Sequence, residues 1–412
     1  MGQASATIPC VVRYSSTGPH DDSPMNTSKP SRKVLLAMSG GVDSSVAAVL
    51  LKEAGWEVTG CFMRLGSPDE SLETEQSSCD TSKIKIGHQG CCSINDAQDA
   101  RTVAARLDIP FYVLNFKNDF SRIIDYFQEE YHAGRTPNPC VRCNDWLKFG
   151  RLHDYARQIG ASHVASGHYA RLEGQGDDLR LCRGIDESKD QSYVLFGASP
   201  TRLSEMLLPI GSLTKDRVRE IARSHDLPVF NKPDSQEICF VPDNDYAGLL
   251  KRTSPDRIQP GEIVDMEGKV IGEHAGHQHY TIGQRRGLGI SASLPLYVIN
   301  RDPETNRVIV GQKSDLSAPG LRAGQSNWFI DPPETWMPCR AQIRYNASPV
   351  PARFKCVSDD QFIVEFGTAQ SAVAPGQAVV CYDGETVLGG GWIESALQST
   401  DPLLASDESA SR

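Results

Sequence analysis

Hydrophobic and polar positions fall into a pattern from Lys33 onward. Val34-Leu35-Leu36-Ala37-Met38 is an unbroken apolar run, the signature of a strand buried on both faces. Residues 43–51 then repeat apolar positions at helical spacing, 58–63 read as a strand and 97–107 as a helix. The alternation continues with a strand at 111–116, helices at 120–131 and 146–159, a strand at 163–166 and a helix at 215–224. Strands alternating with helices predict an α/β domain built on a doubly wound parallel sheet, spanning 31–248. The polar, acidic stretch 66–89 breaks this rhythm and reads as a loop or insertion.

From about residue 250 the pattern shortens. Gly and Pro punctuate brief β-like runs, which predicts a small β-rich central domain at 249–312 and a C-terminal β-barrel at 313–398. Residues 1–30, rich in Ser, Thr, Pro and Gly, read as a disordered leader, and 399–412 as a solvated tail.

Composition narrows the classes. The chain has 412 residues, with 39% hydrophobic and 23% charged positions, as in globular proteins of more than one domain. No apolar run approaches the roughly 20 residues of a membrane helix, so no membrane partner is expected. The formal charge of −10 argues against holding nucleic acid by bulk electrostatics; an RNA site would be a local patch. Twelve cysteines occur without a visible signal peptide, and Ala6 departs from the myristoylation pattern. These features fit a cytoplasmic protein with reduced thiols.

Ser39-Gly40-Gly41-Val42-Asp43-Ser44-Ser45 joins a buried strand to a helix. There, backbone N–H groups and the helix dipole can bind phosphate, and glycine lets the backbone approach an anion. The serines add donors, and Asp43 could hold Mg2+ against the phosphates. The Gly-Lys-Ser/Thr ending of a Walker loop is missing. Asn138-Pro139-Cys140-Val141-Arg142-Cys143-Asn144 sets two thiols one turn apart. A helix starting near Asn144 would put its positive end at Cys143. By itself this pair reads as structural or metal-binding as readily as it reads as chemically active. Asp234-Ser235-Gln236-Glu237-Ile238-Cys239-Phe240 supplies another thiol, which alone reads as an ordinary buried cysteine. His274, His277 and His279 have metal-like spacing, but beside Gln284-Arg285-Arg286 they are expected to face RNA or solvent. Cys91 and Cys92 read as incidental.

The loop resembles the pyrophosphate (PP) loop of N-type ATP pyrophosphatases, whose fold is adenine nucleotide alpha hydrolase-like, and so implies ATP. Residues 37–45, 138–144, 166–171, 189–193, 234–240 and 279–289 together resemble one family, the tRNA-specific 2-thiouridylases (MnmA), over roughly 33–395. That resemblance implies a sulfurtransferase forming 2-thiouridine at the wobble position, U34, of tRNAs of the Lys, Glu and Gln type. It implies ATP binding by Ala37, Met38, Ser39, Gly40, Gly41, Val42, Asp43, Ser44, Met63 and Gly167. Cys239 would carry a persulfide from a sulfur carrier protein or cysteine desulfurase, and Cys143 would attack it or close a transient Cys143–Cys239 disulfide. Asn138, Pro139 and Cys140 would face the base, while His168, Lys189, Asp190, Gln191, Arg344, Tyr345 and Gln377 would contact tRNA. Some members carry Asp where Cys140 stands, so Cys140, Cys143 and Cys239 could instead hold an iron–sulfur cluster. The rival readings are a 4-thiouridine or 2-thiocytidine synthase of the same loop class, and a non-catalytic RNA-binding protein.

Overall fold

The protein is described here as a computed structural model covering residues 32–66, 94–234, 238–241 and 245–404. The expected leader, nearly all of the polar 66–89 stretch, Cys91, Cys92 and the last residues of the tail lie outside the described residues.

The first unit is a five-stranded parallel sheet: β1 (Lys33–Ala37), β2 (Glu57–Arg64), β3 (Phe111–Asn115), β4 (His163–Ala165) and, after a hairpin described below, β7 (Met206–Leu207), in the order β3-β2-β1-β4-β7. Strand side chains alternate faces, so β1 feeds two cores. Val34 and Leu36 join the cluster under α1 (Val42–Glu53) and α2 (Ile94–Arg106), whereas Leu35 joins the opposite one under α3 (Lys117–His132). The strand order reverses beside β1, between β1 and β4, and ligands of such sheets bind at the carboxyl ends there.

Asn138 caps a helical run that passes from α4 (Pro139–Arg142) through a π-helical stretch, Cys143–Arg151, into α5 (Leu152–Gln158). This start is earlier than the expected one near Asn144. Asn138 accepts the Val141 N–H at 3.4 Å and Pro139 occupies the first turn, an N-cap followed by an N1 proline. Cys140 therefore lies in the first turn and Cys143 one turn inside, away from the positive end.

The short helix α6 (Pro200–Leu203) precedes β7, and α7 (Lys215–Ser224) packs beside α1. α8 (Tyr246–Thr253), unread in the sequence, buries Leu249 and Leu250 in the α3 core. The central unit is a four-stranded sheet of β8 (Gly261–Val264), β9 (Val270–His274), β10 (Tyr297–Asp302) and β11 (Arg307–Gly311).

The last unit closes six strands into a barrel. β12 (Ser317–Trp328), β13 (Met337–Gln342), β14 (Val350–Cys356), β15 (Phe362–Ser371), β16 (Ala378–Asp383) and β17 (Thr386–Leu397) follow the order β12-β15-β14-β13-β16-β17, with β17 returning to β12. A hairpin from the first unit, β5 (Ala170–Glu173) and β6 (Arg180–Arg183), extends this sheet beyond β17. The barrel is thereby stitched to the strand-to-helix loops of the parallel sheet.

Candidate functional site: a phosphate loop and two half-buried thiols

The Ser39–Ser45 turn sits at the carboxyl end of β1. Gly40 takes φ +75°, and a Cβ there would lie 2.2 Å from the Asp96 carbonyl oxygen, so conformation and space both demand glycine. The Ser39 N–H donates to Ser44 Oγ at 3.2 Å, and the Ser45 hydroxyl donates to the Gly41 carbonyl at 2.8 Å. Gly167, just past β4, presses on the start of α1. A Cβ there would meet the Ser44 nitrogen at 2.6 Å. Two adjacent strands therefore deliver two glycine-bearing loops to one helix N-terminus, where dipole and amides favour an anion.

Cations surround this turn. Lys215 donates to Asp43 Oδ1 and Oδ2 at 2.8 and 2.9 Å, and the Tyr169 hydroxyl donates to Asp43 Oδ1 at 2.7 Å. Lys232 donates to the Gly40 carbonyl at 3.0 Å and bridges to Asp96 and Asp99 at 2.5 Å each. Lys215 and Lys189 also reach Asp234, at 2.7 and 2.8 Å. Burial opposes ionisation of Asp234, but the hydrogen bonds from Lys189 and Lys215 outweigh it and hold that carboxyl below its ordinary range. No local pattern in the sequence marks Lys215 or Lys232, and although Tyr169 lies within the 166–171 segment, nothing there points it at Asp43.

The thiols occupy the other face of the sheet. Cys143 and Cys239 are both half-buried and both pack on the core cluster of α3, together with Ala37 and Met63 from the ends of β1 and β2. Cys140 is exposed and neighbours Tyr345 of the barrel, whose hydroxyl is pushed up first by burial and then, among smaller effects, by that thiol. Tyr345 is 43% exposed, its ring 6.2 Å from Tyr193.

Other residues expected at RNA are engaged within the protein. His168 is buried and shares a 2.7 Å hydrogen bond with Ser166; desolvation holds its imidazole well below the usual pKa. Asp190 accepts from Arg183 Nε at 2.7 Å and from the Gly184 and Ser192 N–H groups at 3.0 Å. Gln191 accepts the Tyr169 N–H at 3.0 Å. Arg344 donates to the Ala372 carbonyl at 2.6 Å. Gln377 donates to the Thr136 and Pro137 carbonyls at 3.1 and 3.0 Å, clamping the segment before Cys140. His274 and His277, expected to face RNA or solvent, are buried instead, and His279 is half-buried.

Two ion sites can be tested against these side chains. Lys215 donates to both Asp43 oxygens, so Asp43 could take Mg2+ only once that ammonium has moved away. Among the described residues no group of three or more His, Cys, Asp or Glu side chains is disposed to hold a metal ion, so Cys140, Cys143 and Cys239 form no cluster cradle.

Three family models match the chain. A "tRNA methyl transferase HUP domain" covers residues 32–243, a "tRNA methyl transferase PRC-barrel domain" 248–312, and an "Aminomethyltransferase beta-barrel domain" 318–393. The tRNA-specific 2-thiouridylase MnmA of Carboxydothermus hydrogenoformans is 48% identical over 371 residues, covering 89% of this chain and 98% of that protein. The proteins of the same name from Rhodopirellula baltica and Geotalea uraniireducens are 48% and 47% identical, over 89% of this chain and 97% and 96% of theirs. Among solved structures, an NMN synthetase from Francisella tularensis aligns with 50% of this chain and 67% of its own at 18% identity and a TM-score of 0.31.

Proposed function

The chain belongs to the tRNA-specific 2-thiouridylase family, and from that premise we propose that it replaces the C2 oxygen of the wobble uridine with sulfur, using ATP and the thiols of Cys143 and Cys239. It is a tRNA sulfurtransferase; the wobble position, the route of sulfur and the residue roles are our reading.

A uracil C2 oxygen is a poor leaving group. Attack of that oxygen on the α-phosphorus of ATP makes it part of an adenylate and expels pyrophosphate, whose growing charge the Ser39–Ser45 amides and the α1 N-terminus would stabilise. Cys239, loaded as a persulfide by a sulfur carrier protein or cysteine desulfurase, then offers a nucleophile reactive at neutral pH. Its terminal sulfur bonds to C2 and AMP leaves. Cys143 attacks the Cys239 sulfur, which breaks the S–S bond, leaves the thione on the base and closes a Cys143–Cys239 disulfide. An external thiol reductant must reopen it. The base must leave its stack to react. Exposed Cys140, in the helical turn that Asn138 caps and Pro139 begins, and with Tyr345 near it, offers a thiol and an aromatic surface where a splayed base can be received.

The observation carrying this reading is that Cys143, Cys239, Ala37 and Met63 border one core cluster, although the two thiols are far apart in sequence. It predicts that Cys143→Ser and Cys239→Ser each lower 2-thiouridine in tRNA below detection by nucleoside mass spectrometry while both still release pyrophosphate from ATP with unmodified tRNA. Loss of 4-thiouridine or 2-thiocytidine instead, in cells lacking the gene, would identify one of the rival thiolases.

A further inference from the structure

Lys215 is arranged in a way that a simple phosphate cradle does not require. Its side chain is 10% exposed and its ammonium is shared between Asp43 on the loop and Asp234. Its own N–H is held by Asp186 Oδ2 at 2.9 Å, which fixes the start of α7 and hence the root of the lysine. We propose that Lys215 is a catalytic residue of the adenylation step, its ammonium touching the phosphates of ATP, and that Asp43 and Tyr169 are positioning residues that aim it. This rests on the ATP reading above and names the group that acts there.

The partners make such a movement inexpensive. If Nζ leaves Asp234, that carboxylate keeps Lys189 at 2.8 Å and Arg219 at 3.5 Å. If it leaves Asp43, that carboxylate keeps the Tyr169 hydroxyl at 2.7 Å. Lys232 differs: it ties the Gly40 carbonyl to Asp96 and Asp99, and its departure would leave the turn without its brace. A lysine is a compact charge on a flexible stem, able to follow an anion through a reaction. Asp43 is the second residue of α1, so Nζ already stands within a side chain's reach of the helix end where phosphate would lie.

In the step itself the C2 oxygen bonds to the α-phosphorus. The bond from that phosphorus to the bridging oxygen breaks, the electron pair leaves with pyrophosphate, and the uracil N3 proton passes to solvent. Negative charge grows on the leaving group, so a cation beside it lowers the barrier more than it tightens ground-state binding.

The test follows pyrophosphate release by the full-length protein with MgATP and unmodified tRNA. Wild-type protein that releases none overturns the ATP reading itself, separately from this inference. Given wild-type release, Lys215→Met is expected to slow it at saturating ATP by about 10²–10³-fold, with ATP affinity by equilibrium dialysis changed less than about tenfold and part of the rate regained in Lys215→Arg. Should Lys215→Met not fold, Asp43→Asn carries the test: its rate falls while the Mg2+ concentration for half-activity stays at the wild-type value. A Lys215→Met rate within about threefold of wild type, a rate loss fully matched by lost ATP affinity, or an Asp43→Asn defect cured by added Mg2+ would each overturn the proposal.

Discussion

His277 is 4% exposed and lies near His132, His274, Arg301 and Asp302. Burial first, and then the positive charge of Arg301, bring its pKa down to about 4 from an ordinary 6.5. Below pH 6.5 the unfolded chain takes a proton that the folded imidazole refuses until about pH 4, so stability is complete above 6.5 and drains as pH falls through that window. At its end the loss is on the order of 3 kcal/mol. His132, His274 and His279 shift the same way, each chiefly by desolvation. Thermal melts are expected to show Tm dropping between pH 6.5 and 4, with a shallower drop in His277→Gln; parallel profiles for the two proteins would acquit this residue. The sequence could not show that these histidines are inside, because a glycine-rich stretch has no periodicity to assign sides. The phosphate turn was legible for the opposite reason: its glycines, serines and Asp43 are contiguous. Lys215 and Tyr169 meet Asp43 from 172 and 126 residues away, a relation only the fold supplies.

Among the elements, the helical run through Cys140 and Cys143 departs most from regularity. Its π-helical middle, Cys143–Arg151, is the kind of widened turn found at functional sites. Gly150 lies over the Asp145 carbonyl, where a Cβ would come within 2.8 Å of that oxygen, and Arg202 takes up the Phe149 carbonyl at 2.6 Å. Gly150→Ala must push this turn apart at the end opposite the thiols. We expect a loss of about 1–3 kcal/mol in denaturant unfolding and thiolation reduced more than pyrophosphate release, since the phosphate turn lies on other elements. Equal loss of both activities would mean that the π-helical stretch does not serve the thiols in particular. Periodicity revealed the helix but not its winding, and β1 to β4 were readable as short β-like runs between helical stretches, whereas β7, two residues long, is too short to show a pattern. The β5–β6 hairpin was not: its pairing partner, β17, lies at the far end of the chain.

At the scale of the molecule, an acidic body of net charge −10 must still receive a tRNA, and three units hold the Cys140 turn that we propose as its receiving surface. Thr136 receives Arg301 of the central sheet at 3.3 Å, while its carbonyl receives Gln377 of the barrel at 3.1 Å. One turn further on, Arg142 stands over the Trp392 ring at 3.9 Å, lies near Trp146 and Tyr126, and donates to Gln325 Oε1 at 2.6 Å. The guanidinium thus fastens the thiol-bearing helix to β12 and β17. A cation–π contact desolvated to this degree contributes about 2 kcal/mol, and removing the indole adds the cost of a cavity among buried neighbours. If barrel and thiol turn act as one tRNA-receiving surface, Trp392→Ala should lower kcat/KM for tRNA thiolation by at least about tenfold while ATP affinity stays within about twofold of wild type. Trp392→Phe, which keeps a ring under the guanidinium, should recover most of the loss. An equal fall in ATP affinity would show that the damage spreads through the parallel sheet, and that the barrel is a general brace for the enzyme, without a specific part in holding the thiol turn against its RNA.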